Sequence, residues 1–273
     1  MLWRIKASRN ASQRLRPEEN SVTNKLTASR NWFDQGGEAY AHFRPGYPDQ
    51  LSEFLPSIVP DNSHALDVGC GTGQLTCKLA SYFDHVVGLD SSRDQIANAV
   101  RHDRVQYQCA SAEKLPLHDK SVTLVTVAQA AHWFNLADFY EEIRRISVTG
   151  GVLALISYAV PRLESEIEER FSHFYKHEIG PYWPPERKLV DTGYADIDFP
   201  FCELYKPTIS INLKWSQPQL FGYISTWSAV RRAREAGKEE LLIRFFEAIE
   251  RSWGEPETLR SISWPINMRI GKI

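Results

Sequence analysis

Three glycines within five positions, Gly69, Gly71 and Gly73, stand where a short apolar run ends and a helical pattern begins. Glycine adopts left-handed backbone freely and lets the main chain approach another group closely. A cluster of this kind demands a tight strand-to-helix turn, with the N–H groups of the helix start facing outward. The flanking pattern selects the architecture. His64–Val68 reads as the strand before the turn, and Leu75, Leu79 and Phe83 as one face of the helix after it. Residues 86–89 read as a second strand, Ile96 and Val100 as a second helix face, and Val105–Cys109 as a third strand. Residues 122–127 are almost all apolar or β-branched, as in a strand covered on both faces. Phe139, Ile143 and Ile146 mark a third helix, and Gly150-Gly151 lead into a further strand at 152–156. Such alternation predicts βαβ units with right-handed crossovers: an α/β chain with a doubly wound, mostly parallel sheet.

Beyond Tyr158 the rhythm breaks. Residues 164–176 read as an amphipathic helix with Ile167, Phe171 and Phe174 on one face. A loop with Pro181, Pro184 and Pro185 follows, then a strand at 209–213 and a helix over 217–232. Leu241, Phe245 and Ile249 mark one more helix, and 264–270 a closing strand. Upstream, residues 32–45 read as a helix ended by Pro45, and 51–58 as a short helix. The simplest layout is a core over 32–160, an inserted helical cap over about 160–260, and a closing strand within 261–273.

The 273 residues suffice for one large α/β domain with an elaboration, and 42% of them are apolar. The net charge of −2 gives no general attraction to nucleic acid or to an anionic membrane. No apolar run is long enough to span a bilayer. Cys70, Cys77, Cys109 and Cys202 form no CxxC pair, and no metal-ligand spacing surrounds the histidines. Reduced thiols and a cytoplasmic setting are expected. Residues 1–31 hold seven basic residues and two acidic ones, without the apolar core of a secretory signal. The alternatives there are an unstructured leader and a mitochondrial targeting sequence.

The glycine turn also narrows the ligand. A phosphate-binding P-loop needs a lysine and Ser/Thr after its last glycine, whereas Gln74 and Leu75 follow Gly73. A dinucleotide turn spaces its glycines GxGxxG, and here the third comes one residue early. Asp67, two residues before Gly69, opposes a pyrophosphate and suits a cation. Asp90 lies at the end of the second strand, 17 residues beyond Gly73, where a carboxylate can accept two ribose hydroxyls. With Ser91 and Ser92 it could equally cap the next helix.

Asp67 through Gly73 resembles motif I of class I S-adenosylmethionine (SAM)-dependent methyltransferases, and Gly88-Leu89-Asp90 their motif II. Residues 111–116 resemble the adenine-contacting loop, and 127–134 the segment after the fourth strand. Tyr40, Phe43, Arg44, Pro45, Tyr47 and Pro48, with His132-Trp133-Phe134, are similar to the trans-aconitate methyltransferase-like branch. The resemblance implies a seven-stranded Rossmann-like sheet, SAM as cofactor, and methyl transfer to a small-molecule acceptor. It implies cofactor contacts from Tyr40, Arg44, Asp67, Gly69, Gly71, Gly73, Asp90, Ser91, Ala112, Glu113 and Gln129. No metal is called for. His132 is the candidate base, if the acceptor must lose a proton. Trp133, Tyr158, Trp183, Trp227, Ser228 and Arg231 are candidates for the acceptor pocket. If the acceptor is a carboxylic acid, no base is needed, and an arginine such as Arg231 would orient it. Ser111, Thr123 and Thr149 depart from residues common in the family, but none removes a group the chemistry requires. The competing expectation is a SAM-binding regulatory or scaffold protein whose catalysis has lapsed, since the cofactor motifs would look the same.

Overall fold

A computed structural model describes residues 43–273; the basic segment 1–31, Tyr40 and nearly all of the helix expected over 32–45 lie outside the described residues. A short helix, α1 (Asp49–Phe54), leads to β1 (His64–Val68). Then come α2 (Gln74–Leu79), β2 (His85–Asp90), α3 (Arg93–Ala97), β3 (Val105–Cys109), β4 (Val122–Ala128), α4 (Leu136–Ile146) and β5 (Ser147–Tyr158). The five strands are parallel neighbours in the order β3-β2-β1-β4-β5. The chain moves outward one way from β1 to β3 and then the other way from β4 to β5. The reversal therefore falls between β1 and β4, where a crevice opens at the carboxyl ends of the strands.

The side chains of these central strands divide between two layers, as a period of two requires. On β5, Val152, Ala154 and Ile156 face the layer that holds Leu75, Leu79 and Phe83. Leu153 and Leu155 face the layer of Phe139, Ile143 and Ile146 from α4. Each layer withdraws large apolar surface from water, which is the main force holding the sheet.

One core helix is shorter than its pattern suggests. The apolar spacing predicts that Val100 lies on a helix face, but α3 stops at Ala97 and Val100 is 57% exposed. The Asn98 side chain donates to the Asp94 carbonyl, and the Val100 N–H donates to the Thr72 carbonyl. The chain is drawn back to the glycine turn rather than onward along the helix.

The last third comprises α5 (Ser165–His173), α6 (Arg187–Asp191), β6 (Cys202–Glu203), β7 (Ile209–Trp215), α7 (Gln217–Ser225), α8 (Ser228–Glu235), α9 (Glu239–Trp253) and β8 (Arg260–Lys272). Antiparallel β8 pairs with β5 and carries both β6 and β7. The sheet has eight strands rather than the expected seven; the two-residue β6 is too short to leave a periodic signal. The cap region is thus not helices alone, since it lends two strands to the sheet. The single helix expected over 217–232 is two, because Trp227 is extended (φ −73°, ψ 137°) between α7 and α8. Downstream of α5 the chain makes one wide π turn over Phe174–Glu178. It stacks Phe174 on Phe245 of α9 at 3.7 Å between ring centres and buries Tyr175 beside it.

Candidate functional site

All three glycines of the turn have left-handed backbone, with φ of 70°, 56° and 86° for Gly69, Gly71 and Gly73. The N–H groups of Gly69 and Cys70 both donate to the Leu89 carbonyl, tying the turn to the end of β2. Two of the glycines answer to protein neighbours. A Cβ at Gly69 would sit 2.4 Å from that of Ala130, and one at Gly73 would sit 2.0 Å from the Tyr107 hydroxyl oxygen. Gly71 is different: among the described residues, its chain neighbours aside, the only atom within 4 Å of such a Cβ is Gln95 Oε1, at 3.6 Å. The room in front of Gly71 is what a ligand can use.

The two acids divide the work. Asp67 is 1% exposed, and its oxygens accept hydrogen bonds from Thr76 Oγ1 at 2.7 Å and Thr126 Oγ1 at 2.8 Å. Burial pushes its pKa up to about 6, against the pull of the two hydroxyls, and the neighbouring Asp90 adds to the rise. From beneath the turn, Asp67 acts on a ligand through its field. Asp90 sits at the tip of β2. One of its oxygens accepts the Gly71 N–H at 2.9 Å, and the other accepts the Ser92 N–H at 2.8 Å. Burial raises its pKa too, although both backbone bonds oppose the rise. Each oxygen keeps a further lone pair. The helix cap itself is Ser92, whose hydroxyl accepts from the Gln95 N–H.

Ser91, exposed, lies between them and accepts the Cys109 thiol on its carbonyl. Ala112 is buried. The Glu113 carboxylate accepts from the Ser111 hydroxyl and from the Asn135 N–H, pinning its loop to the start of α4. Gln129 follows β4 with φ 60°, a strained conformation for a residue other than glycine. Its side chain donates to the Tyr158 carbonyl at 3.1 Å, joining the ends of β4 and β5. Thr123 Oγ1 donates to the His64 carbonyl, so this departure from the family is a strand-to-strand tie.

His132 and Trp133 stand just beyond β4, their rings 4.8 Å apart. His132 Nδ1 lies 3.1 Å from the Tyr194 hydroxyl. Burial, reinforced by the positive charge of Arg187, pushes its pKa down to about 3. The imidazole is neutral at neutral pH and a very weak base.

On the cap side the chain assembles an aromatic box. Tyr175, Trp183 and Trp227 lie mutually 5.4–5.7 Å apart, and Tyr223 is 5.6 Å from Trp227. Arg44 lies over the Tyr223 ring at 5.3 Å and donates to the Tyr158 hydroxyl at 3.2 Å. It thereby joins the residues before α1 to β5 and the cap. Of the sequence-predicted pocket residues, Tyr158, Trp183 and Trp227 are thus brought together. Ser228, partly buried, begins α8, and Arg231, also partly buried, follows one turn later. The residue missed by sequence reasoning is Arg187. Its guanidinium stacks over Trp183 at 4.7 Å, and Nε donates to the Tyr175 hydroxyl and to Asp191. It belongs to the five-residue α6, which carries no periodicity to betray it. Tyr107, Tyr194 and Gln95 were missed for a related reason: their roles arise from contacts between elements far apart in sequence.

Among the described residues, no cluster of His, Cys, Asp and Glu could hold a metal, and no helix is long and apolar enough to cross a membrane.

Comparison with known proteins bears on this geometry. Residues 66–155 match the methyltransferase domain family. A protein of Dictyostelium discoideum named as a methyltransferase is 35% identical over 247 residues, covering 88% of this chain and 94% of its own length. The solved structure of a protein named as a type II methyltransferase, from Anaeromyxobacter dehalogenans, is 38% identical with a TM-score of 0.78. It covers 84% of this chain and 98% of that one. The malonyl-acyl-carrier-protein O-methyltransferase of Dechloromonas aromatica is 35% identical over 159 residues, 55% of this chain and 57% of that protein.

Proposed function

Since the chain belongs to the class I SAM-dependent methyltransferases, we propose that it transfers the methyl group of SAM to a carboxylate oxygen of a small molecule. The observation that carries this reading is His132. It lies in the short turn after β4, beside Trp133 and the Tyr194 hydroxyl, and it is held neutral with a pKa of about 3. A phenol or ammonium acceptor would need a group that takes its proton. A carboxylate is already anionic at neutral pH and needs none. The D. aromatica relative, whose name specifies O-methylation of a malonyl group, supports the same class of acceptor.

The donor set fits the cofactor. Gly71 leaves room for a close approach of the ligand. The spare lone pairs of Asp90 suit two ribose hydroxyls, and Asp67 and Asp90 together set a negative potential suited to a sulfonium and an ammonium. Bound SAM supplies an electrophilic methyl group. The protein's part is to orient the acceptor and exclude water. Gln129, strained and tied to Tyr158, fixes the wall between cofactor and acceptor. His132 and Trp133 supply an apolar, uncharged floor. The same reading has no part for nucleic acid or membrane.

The test is a screen of carboxylic acids, phenols and amines with SAM and the purified protein, read by mass spectrometry. Methyl esters should form from the acids. Products only from phenols or amines would overturn the acceptor class. Tight SAM binding with no product from any class would point to lapsed catalysis.

A further inference from the structure

The aromatic box contains hydrogen-bond donors with no partner among the described residues. Both hydrogen bonds of Arg187 among the described residues leave from Nε, toward Tyr175 and Asp191. The Arg187 side chain is only 18% exposed, and its two terminal nitrogens make no bond to the described residues. Beside it, Trp183 Nε1 is buried and likewise has no partner among the described residues. A buried donor left unpaired costs free energy, so Trp183 Nε1, stacked against the partly exposed and unpaired terminal nitrogens of Arg187, points to something that fills both.

The surroundings select the chemistry. The guanidinium is a planar fork, which matches the two oxygens of a carboxylate. Asp191, the one carboxylate paired with it, is 37% exposed and engages Nε only. Tyr175 and Trp227, packed edge to face, back the two groups with apolar surface. The box borders the cofactor turn: α6, which carries Arg187, packs against residues 131–133, and Ala130, just before them, abuts Gly69.

We propose that Arg187, through its terminal guanidinium nitrogens, and Trp183, through Nε1, form the subsite that grips the acceptor's carboxylate, with the acceptor's aromatic or aliphatic body lying against the packed rings of Tyr175, Trp183 and Trp227. This rests on the carboxylate reading of the acceptor above and assigns it to particular atoms. The π turn has a use in this arrangement, since it buries Phe174 in the core while Tyr175 walls the subsite.

The experiment measures binding without turnover. The protein is saturated with S-adenosylhomocysteine and titrated with two matched pairs, 3-phenylpropanoate with 3-phenylpropanamide and octanoate with octanamide, reading tryptophan fluorescence and calorimetric heat. The acids should bind at least about 10-fold more tightly than the amides, the usual scale of a charge-assisted contact. Arg187→Met should abolish that preference. Arg187→Lys should restore part of it, keeping the charge without the fork. Trp183→Phe, which keeps an aromatic ring and removes Nε1, should weaken the acids and leave the amides unchanged. An unaltered S-adenosylhomocysteine affinity shows that each variant is folded. Equal binding of acid and amide, no binding of either acid in the millimolar range, or a preference surviving in folded Arg187→Met would overturn the subsite. Acids that bind through Arg187 but never yield a methyl ester would sink the functional reading and leave the subsite standing. Methyl esters formed equally well by wild type and Arg187→Met would do the reverse.

Discussion

Asp90 holds the glycine turn with one oxygen and the start of α3 with the other, while its remaining lone pairs face the ligand space. Asp90→Ala should therefore weaken SAM binding by about 2 kcal/mol, the scale of a lost charged acceptor. Calorimetry checks this, and unchanged affinity would displace the cofactor. Asp67 gives a pH signature. Its folded pKa is raised to about 6 from an ordinary 3.8, so folding favours its protonated form. That contribution is fully present below about pH 4 and is lost as pH rises through 6, amounting to about 3 kcal/mol. Asp67→Asn should then gain stability relative to wild type between pH 4 and pH 7, as chemical denaturation at each pH would show; a pH-independent difference would contradict it. His132 runs the other way. Its folded pKa is depressed to about 3, so its contribution is present above the ordinary 6.5 and is lost as pH falls toward 3. Methyl transfer should show no inflection from this ring between pH 6 and 8. At this scale the sequence was most informative where contacts are local. The three glycines and Asp90 announce themselves through spacing. Arg187, Gln95 and Tyr107 do not, because folding brings them in from remote elements.

The elements follow the periodicity closely where burial is two-sided. The strands β1 and β4 and the apolar face of helix α4 were legible because apolar period and burial coincide there. They diverge where a specific contact outweighs the pattern. Val100 leaves its helix because its N–H is claimed by Thr72. Trp227 splits the expected cap helix because its ring is claimed by the aromatic box, where it meets Tyr175 and Trp183. The cap helices are held by ring contacts instead of by long heptads. Phe245 of α9 stacks on Phe174 and lies 6.4 Å from Phe171, with Arg170 above it at 5.1 Å. Phe245→Ala should cost about 3–5 kcal/mol in denaturant unfolding, the usual range for a buried phenylalanine. A loss under about 1 kcal/mol would mean that the cap does not share one cooperative core with the sheet.

For the whole molecule, a reversal of strand order between β1 and β4 makes the crevice. The turn after β1 and the tip of β2 line one side, and the segments after β4 and β5 meet the cap on the other. The fold class and the cofactor side were both readable, since a glycine turn at a switch point leaves few ligands to choose from. The acceptor side was legible only in part: Arg44 falls in the motif before α1 and Tyr158, Trp183 and Trp227 were expected there, whereas Tyr175 and Arg187 come from the π turn and α6, which carry no motif. The most direct test of the account supplies SAM labelled with carbon-13 in its methyl group, together with a carboxylic acid that binds, and follows the label by NMR. The account predicts that the label moves to a methyl ester that mild base hydrolyses to methanol, with no inflection from His132 between pH 6 and 8. A label that stays on SAM, or that appears in a base-stable N- or C-methyl group, would contradict it.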